Sequence, residues 1–485
     1  MKNQVFNPYL PSYEYVPDGE PHIFGNRIYV YGSHDRFNGF IFCMNDYVCW
    51  SAPADDLSDW RYEGVIYQKN QDPKNKSGIR LLFAPDVCQG ADGRYYLYYA
   101  FDFMGIIGVA VCDTPAGRYQ FLGHVHYQDG TIWGRKKNDP FPFDPGVLVD
   151  DDGRVWLYSG FAMPVPAAVT GGKKLKSDGG VVLELEADMV TVRKGARLLF
   201  PKEGEKAFKD HEFFEASSIR RYKDRYIFIY SSRHNHELCY AVSSRPDGDF
   251  VFGGTLVSLG DLFMEGRTDE SAGTNYLGNT HGGMLKLGDD WYIFYHRQTN
   301  RHSYSRQACA ERLVQNPDGS FCQSEVTSCG LNGGPLNGEG RYEARIACNL
   351  WSRDGVGRYD CRNPRKVFSE HPYFTQSGKD REQRGEQYIA NMRDGAVAGF
   401  KYFKMDRADR ITVELKGKGF GMFEVSEKPD FSVINARISI QLTGTKQYFS
   451  DALEIESGVK PLYFRFKGTG IVDFIAFELK EKKKE

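Results

Sequence analysis

Five short stretches of this 485-residue chain repeat one pattern, and that repeat limits the fold more than any other feature. The stretches are GNRIYVY at 25–31, GRYYLY at 93–98, GRVWLY at 153–158, DRYIFIY at 224–230 and DDWYIFY at 289–295. Each opens on a Gly or Asp turn, runs through alternating aromatic and β-branched residues, and ends on a tyrosine. Turn, then alternation, is the signature of a β-strand. The anchors Tyr31, Tyr98, Tyr158, Tyr230 and Tyr295 lie about 60 to 72 residues apart. That period suits a four-stranded sheet with long loops, repeated five times. The expectation is an all-β protein whose first part, residues 1–325, is a five-bladed β-propeller. Further strands are expected at 106–112, 181–185 and 238–242.

Composition agrees with this reading and removes other classes. Aromatics make up 14% of the chain and there are 52 glycines, which favours strands and turns. The net charge of −2 gives no general attraction to nucleic acid or to an anionic membrane, so neither is an expected partner. No stretch reaches 18 uninterrupted apolar residues, so no membrane-spanning helix is expected. The first residues lack the apolar core of a secretory signal, and a cytoplasmic location is the expectation. The ten cysteines, Cys361 among them, include no C-x-x-C pair, so they are expected to be reduced and mostly buried.

The pattern changes beyond residue 325. Residues 326–341 are rich in Gly and Asn and read as a linker, or as a loop packed between domains. From 342 to 485, strand-like runs at 410–415, 421–425, 436–442, 461–466 and 471–479 suggest a smaller β-sandwich domain. The charged end, 480–485, reads as a solvated tail.

Stepping back 12 to 15 residues from each anchor tyrosine reaches Asp18, Asp86, Asp144, Glu215 and His281 in turn. In a propeller the innermost strands line one channel, so one repeat position on five blades gathers these groups. Singly, several have ordinary explanations. Pro17-Asp18-Gly19 and Asp144-Pro145-Gly146 are turn tripeptides, Asp86 could cap a backbone amide, and His281 could be a buried histidine with a partner. Glu215 lies among aromatics, where an unpaired acid is costly. Their shared register is what chance does not explain. Grouped carboxyls cannot all stay ionised, so one becomes an acid at neutral pH while another serves as base. That division of labour is glycoside hydrolysis.

With these residues in place, the chain resembles glycoside hydrolase family 43. The resemblance spans about residues 7–325. It rests on Asp18 with the 25–33 strand behind it, Ala84-Pro85-Asp86-Val87, Phe143-Asp144-Pro145-Gly146, Phe214-Glu215-Ala216-Ser217, and Thr280-His281-Gly282-Gly283 with Trp291-Tyr292. It implies a five-bladed propeller and an inverting mechanism. Asp18 would be general base, Glu215 general acid, and Asp144 the group that raises and orients Glu215. Asp86, His281 and Arg306 would contact substrate, with His281 also near a calcium ion or water cluster. The resemblance implies no required cofactor, and a calcium in the channel would be structural. Many members have Asp-Pro at the base where this chain has Asp18-Gly19, which leaves Asp35 and Glu20 as alternatives. The expected substrate is an oligosaccharide from plant polysaccharide with terminal α-L-arabinofuranosyl or β-xylosyl units. A β-galactofuranosidase and a non-catalytic sugar-binding propeller are the competing readings. The C-terminal part resembles carbohydrate-binding family 6 modules, against the plain alternative of a structural buttress.

Overall fold

The computed structural model describes residues 3–300, 302–359, 370–382 and 385–481. Cys361 and the tail beyond 481 lie outside the described residues. Five antiparallel sheets follow one another along the chain. The first holds β1 (Glu20–Phe24), β2 (Arg27–Tyr31), β3 (Tyr47–Pro53) and β4 (Arg61–Tyr67). The second holds β5 (Leu82–Gln89), β6 (Tyr95–Phe101), β7 (Ile107–Cys112) and β8 (Gln120–His124). The third holds β9 (Gly146–Val149), β10 (Val155–Gly160), β11 (Gly179–Leu185) and β12 (Val192–Pro201). The fourth holds β13 (Phe213–Tyr222), β14 (Arg225–Ser232), β15 (Glu237–Ser243) and β16 (Val251–Ser258). The fifth has only β17 (Met284–Leu287), β18 (Asp290–Gln298) and β19 (Arg306–Leu313). The chain is thus the expected five-bladed propeller, with strands where 106–112, 181–185 and 238–242 predict them.

Each repeated stretch forms the second strand of its blade. The anchor tyrosines are buried to 1% exposure or less, so the repeat is a packing device. Each hydroxyl also finds an acceptor. Tyr31, Tyr98, Tyr158 and Tyr230 donate to the carbonyls of Pro115, Met189, Pro246 and His211, and Tyr295 donates to Glu311 Oε1. A large ring fills the blade core while its one polar atom stays paired, as buried tyrosines require.

The fifth blade departs from the expected four strands. Its outer edge is covered by the start of the chain instead. Tyr9 N donates to Ala308 O, and Asn7 exchanges bonds with Ala310 through Nδ2 (2.9 Å) and Oδ1 (3.0 Å). The residues that precede blade one therefore bond to β19 and tie the start of the chain to the last blade.

The C-terminal part is one separate, strongly curled sheet of ten strands. Its two longest strands, Ala408–Ser426 and Gly458–Glu481, pair along most of their length. Shorter strands flank both halves, and the sheet wraps a core that includes Phe400, Phe403, Phe464, Phe474 and Phe477. Within 326–341, Leu331 packs into the first- and fifth-blade core, while Leu336 belongs to the C-terminal core. The nine described cysteines are all free thiols, six of them buried. No helix among the described residues is long and apolar enough to cross a membrane.

Candidate active site

The shared repeat position is real in three dimensions. Asp18, Asp144 and His281 immediately precede the innermost strands β1, β9 and β17, and Asp86 and Glu215 lie on β5 and β13. A bridge between Gly19 and Gly282 ties the first and fifth blades together at this level. Gly282 has to be glycine, because a Cβ there would sit 2.0 Å from Phe294 O. The backbone is bent on purpose around the acids. Asp18 (φ 57°), Asp144 (φ 45°) and Ala216 (φ 70°) all occupy the left-handed region. Such conformations cost energy and gather at functional sites. The β13–β14 pairing slips on both sides of Glu215, so that side chain projects from a bulge.

Asp18 is the charged acid of the site. It is 4% exposed, and Arg306 Nη1 donates to its Oδ1 at 2.9 Å. His296 Nδ1 lies 3.2 Å from the same oxygen and accepts from the Asp18 amide. Burial alone would raise this carboxyl, but Arg306 and His296 outweigh it and hold it well below the usual carboxylate range. Arg306 is itself fixed by Asp35, whose Oδ2 accepts from Nε at 2.8 Å and whose Oδ1 accepts from Nη2 at 3.1 Å. The fallback base Asp35 is thus the bidentate partner of Arg306.

Across the channel the balance reverses. Burial first, and then the charge of Asp18, push Glu215 up to about 8, against the pull of Arg306. Asp144 is also raised, by burial and then by Glu215 and Asp18. The repulsion within this pair therefore falls on Asp144, whose Oδ2 also accepts from Ala216 N at 3.2 Å. Among the five ring residues only Glu215 keeps appreciable solvent access. His281 stands 3.6 Å from Asp144 Oδ2, and burial lowers its pKa to about 4, so the ring is neutral.

Asp86 is fully buried, with both oxygens engaged. Oδ1 meets His22 Nε2 at 2.7 Å and the Val87 amide, and Oδ2 accepts from Val147 N. The carboxylate joins blades one, two and three. The other fallback base, Glu20, is held by Arg220 Nη2 at 2.7 Å and Ser218 Oγ at 3.0 Å. Among the described residues, Glu20, His22 and Asp86 form one of two groups close enough to hold a cation, the other being His211, Glu237 and Cys239. His211, Ser232 and Thr255 already satisfy Glu237. In the channel, Glu20 Oε1 is buried without a hydrogen-bond partner and lies 3.9 Å from His281 Nε2. A channel cation would therefore take Glu20 Oε1 and His281 as protein ligands, and water for the remainder.

A family model, Glycosyl hydrolases family 43, matches residues 17–321, which is more than half of the chain. The chain belongs to that family. The enzyme is 46% identical over 482 residues to a xylosidase/arabinosidase of Thermoclostridium stercorarium, covering 99% of each chain. It is 30% identical to xylosidase/arabinosidase 43A of Humicola insolens, over 58% of this chain and 88% of that one. A solved family 43 arabinoxylan arabinofuranohydrolase from Bacillus subtilis shares the fold across 97% of this chain and 96% of its own, with TM-score 0.50 and 21% identity. The enzyme is a glycoside hydrolase of family 43.

Sequence reading missed His296, Asp35 as the partner of Arg306, and Arg220. His296 had a signal, since it directly follows an anchor tyrosine. Asp35 and Arg306 lie 271 residues apart, and no periodicity links them.

Proposed function

We propose that this enzyme is an inverting exo-glycosidase that removes terminal α-L-arabinofuranosyl or β-xylosyl units from oligosaccharides derived from plant polysaccharide. The observation that carries the proposal is the unequal pair of carboxyls. Asp18 is kept ionised by Arg306, while Glu215 is kept protonated at neutral pH. In this reading Asp18 takes a proton from water as the water oxygen attacks the anomeric carbon. Glu215 gives its proton to the departing glycosidic oxygen on the opposite face. An inverting pair needs carboxyls roughly 6.5–9.5 Å apart to leave room for that water. Asp144 orients Glu215 through the Ala216 amide, and Arg306 reaches the sugar in the first subsite. The rings of Phe103, Phe143, Phe161 and Phe214 pack on one another, and Phe214 directly precedes Glu215. The scheme requires no cofactor. A calcium ion held by Glu20 Oε1 and His281 Nε2 would add positive charge close to Asp144.

A panel of aryl arabinofuranoside, xyloside and galactofuranoside, run on wild type and Glu215→Ala, examines this reading. The expected result is turnover of the first two. The variant should lose about 10²–10⁴-fold on poor leaving groups, and far less on nitrophenolate, which needs no proton. Preference for the galactofuranoside would replace the sugar assignment, and no turnover of any glycoside would replace catalysis by binding.

A further inference from the structure

Arg306 is held between two loops. One, 33–46, follows β2 and carries Asp35. The other, 299–305, joins β18 to β19. Both loops bond to the C-terminal sheet. Asp380 follows the strand Tyr373–Gln376, and its Oδ1 accepts from Phe37 N at 2.6 Å. Its Oδ2 accepts from Asn45 Nδ2 at 3.2 Å, and that same nitrogen donates to Asp35 O at 2.9 Å. The neighbouring Arg381 bonds Glu14 and meets His34 Nε2 at 2.9 Å. On the other side, Asn300 N donates to Phe374 O at 2.6 Å, and Asn300 Nδ2 donates to Asn38 Oδ1 at 2.9 Å. Tyr15 OH donates to Gln376 Oε1 at 2.5 Å, and Tyr15 O accepts from Asp35 N.

These contacts converge on the ends of one side chain. Asp35 fixes the guanidinium of Arg306, and Phe42, on the same loop, lies 4.7 Å from it. Inside the loop between β2 and β3, Cys43 N donates to Asp35 Oδ1 and Asn45 Nδ2 donates to Asp35 O, so the placing of Asp35 depends on where Asn45 is held. Asp380 anchors Asn45 and the loop backbone from outside, taking the Asn45 side-chain donor and the Phe37 amide. Bonds between the two parts are spread over the interface, Arg297 to Ala347 O and Lys401 to Asp261 among them. Here one carboxylate of the C-terminal part is spent on the loop that carries the partner of Arg306.

We propose that Asp380 is a positioning residue for Arg306, acting through loop 33–46, so that the C-terminal sheet completes the active site. This rests on Arg306 binding the sugar, as proposed above. The experiment compares wild type with Asp380→Ala, Asp380→Asn and Glu325→Gln on whichever aryl glycoside wild type turns over. Glu325 bonds Lys401 and Tyr402 at a different part of the same interface. Displacing a binding group by a fraction of an ångström is costly, and D380A is expected to raise KM about tenfold while kcat changes less than about threefold. D380N, which keeps an acceptor for the Phe37 amide, should recover most of the loss. E325Q should leave KM at the wild-type value, whatever it does to melting. If D380A does not fold, Asn45→Ala removes the same contact from the propeller side and should raise KM in the same way. An unchanged KM in D380A or N45A, or an equal rise in E325Q, overturns the inference. A wild type inactive on every glycoside would instead refute the proposed function.

Discussion

Replacing Arg306 by Met separates the electrostatic account of the site from a purely steric one. The guanidinium is 3% exposed and serves two buried carboxylates, Asp18 and Asp35. Removing it leaves both buried acids without that cation. Breaking a buried pair in this way costs about 3–5 kcal/mol. For a domain this large that corresponds to roughly 6–10 °C of melting temperature. The sign with pH follows from the direction of the Asp18 shift. In wild type its pKa is depressed, so its stabilisation is present above the unfolded value, near 4, and is lost only as pH falls through the folded value. In R306M burial is opposed only by the neighbouring histidines, and that pKa rises. The deficit should then be largest at pH 7.5 and shrink toward pH 5, where Asp18 takes up a proton. Thermal unfolding of both proteins across that range measures it. A melting temperature within about 2 °C of wild type at pH 7.5, or a deficit that does not narrow by pH 5, would refute the reasoning.

Three further outcomes follow from the same structure. The alkaline limb of kcat/KM should fall near pH 8, because Glu215 must stay protonated and titrates at about 8; a limb set by an ordinary carboxyl, with activity gone above pH 5, would contradict this. Asn7→Ala should destabilise the propeller by about 2–4 kcal/mol, since it strands the buried Ala310 amide and removes bonds to Glu311 and Thr327, and chemical denaturation should register that loss. Gly282→Ala should abolish activity on every glycoside, because the new Cβ would drive the backbone beside His281 away from Phe294; a variant with wild-type kcat/KM would contradict the close approach.

The repeat was legible because its cause is local. A turn, an alternating strand and a buried tyrosine are written within seven residues, and they recur wherever a blade forms. The ring of Asp18, Asp86, Asp144, Glu215 and His281 was legible for the same reason, being one position of that repeat. What escaped was non-local. Nothing near Asn7 shows that it bonds Ala310, so the three-stranded fifth blade and its closure by the chain start could not be read. Arg306 stood out as a candidate, but its fixing by Asp35 depends on two loops meeting across the closure. The bulge at Glu215 and the left-handed Ala216 leave no compositional mark, because Ala carries no preference for that conformation. The aromatics also divide in a way composition could not reveal. The recurrent tyrosines fill blade cores, while Phe103, Phe161 and Phe214 pack ring on ring, Phe214 being the residue before Glu215.

The central claim is that an ionised Asp18 activates water while a protonated Glu215 releases the leaving group, in a single displacement. The stereochemistry of the first-formed sugar reports on that directly. Proton NMR during the earliest turnover of an aryl α-L-arabinofuranoside or β-xyloside should show the anomer of opposite configuration first, with the other anomer growing in later by mutarotation. A first product that retains the configuration of the substrate would contradict the account.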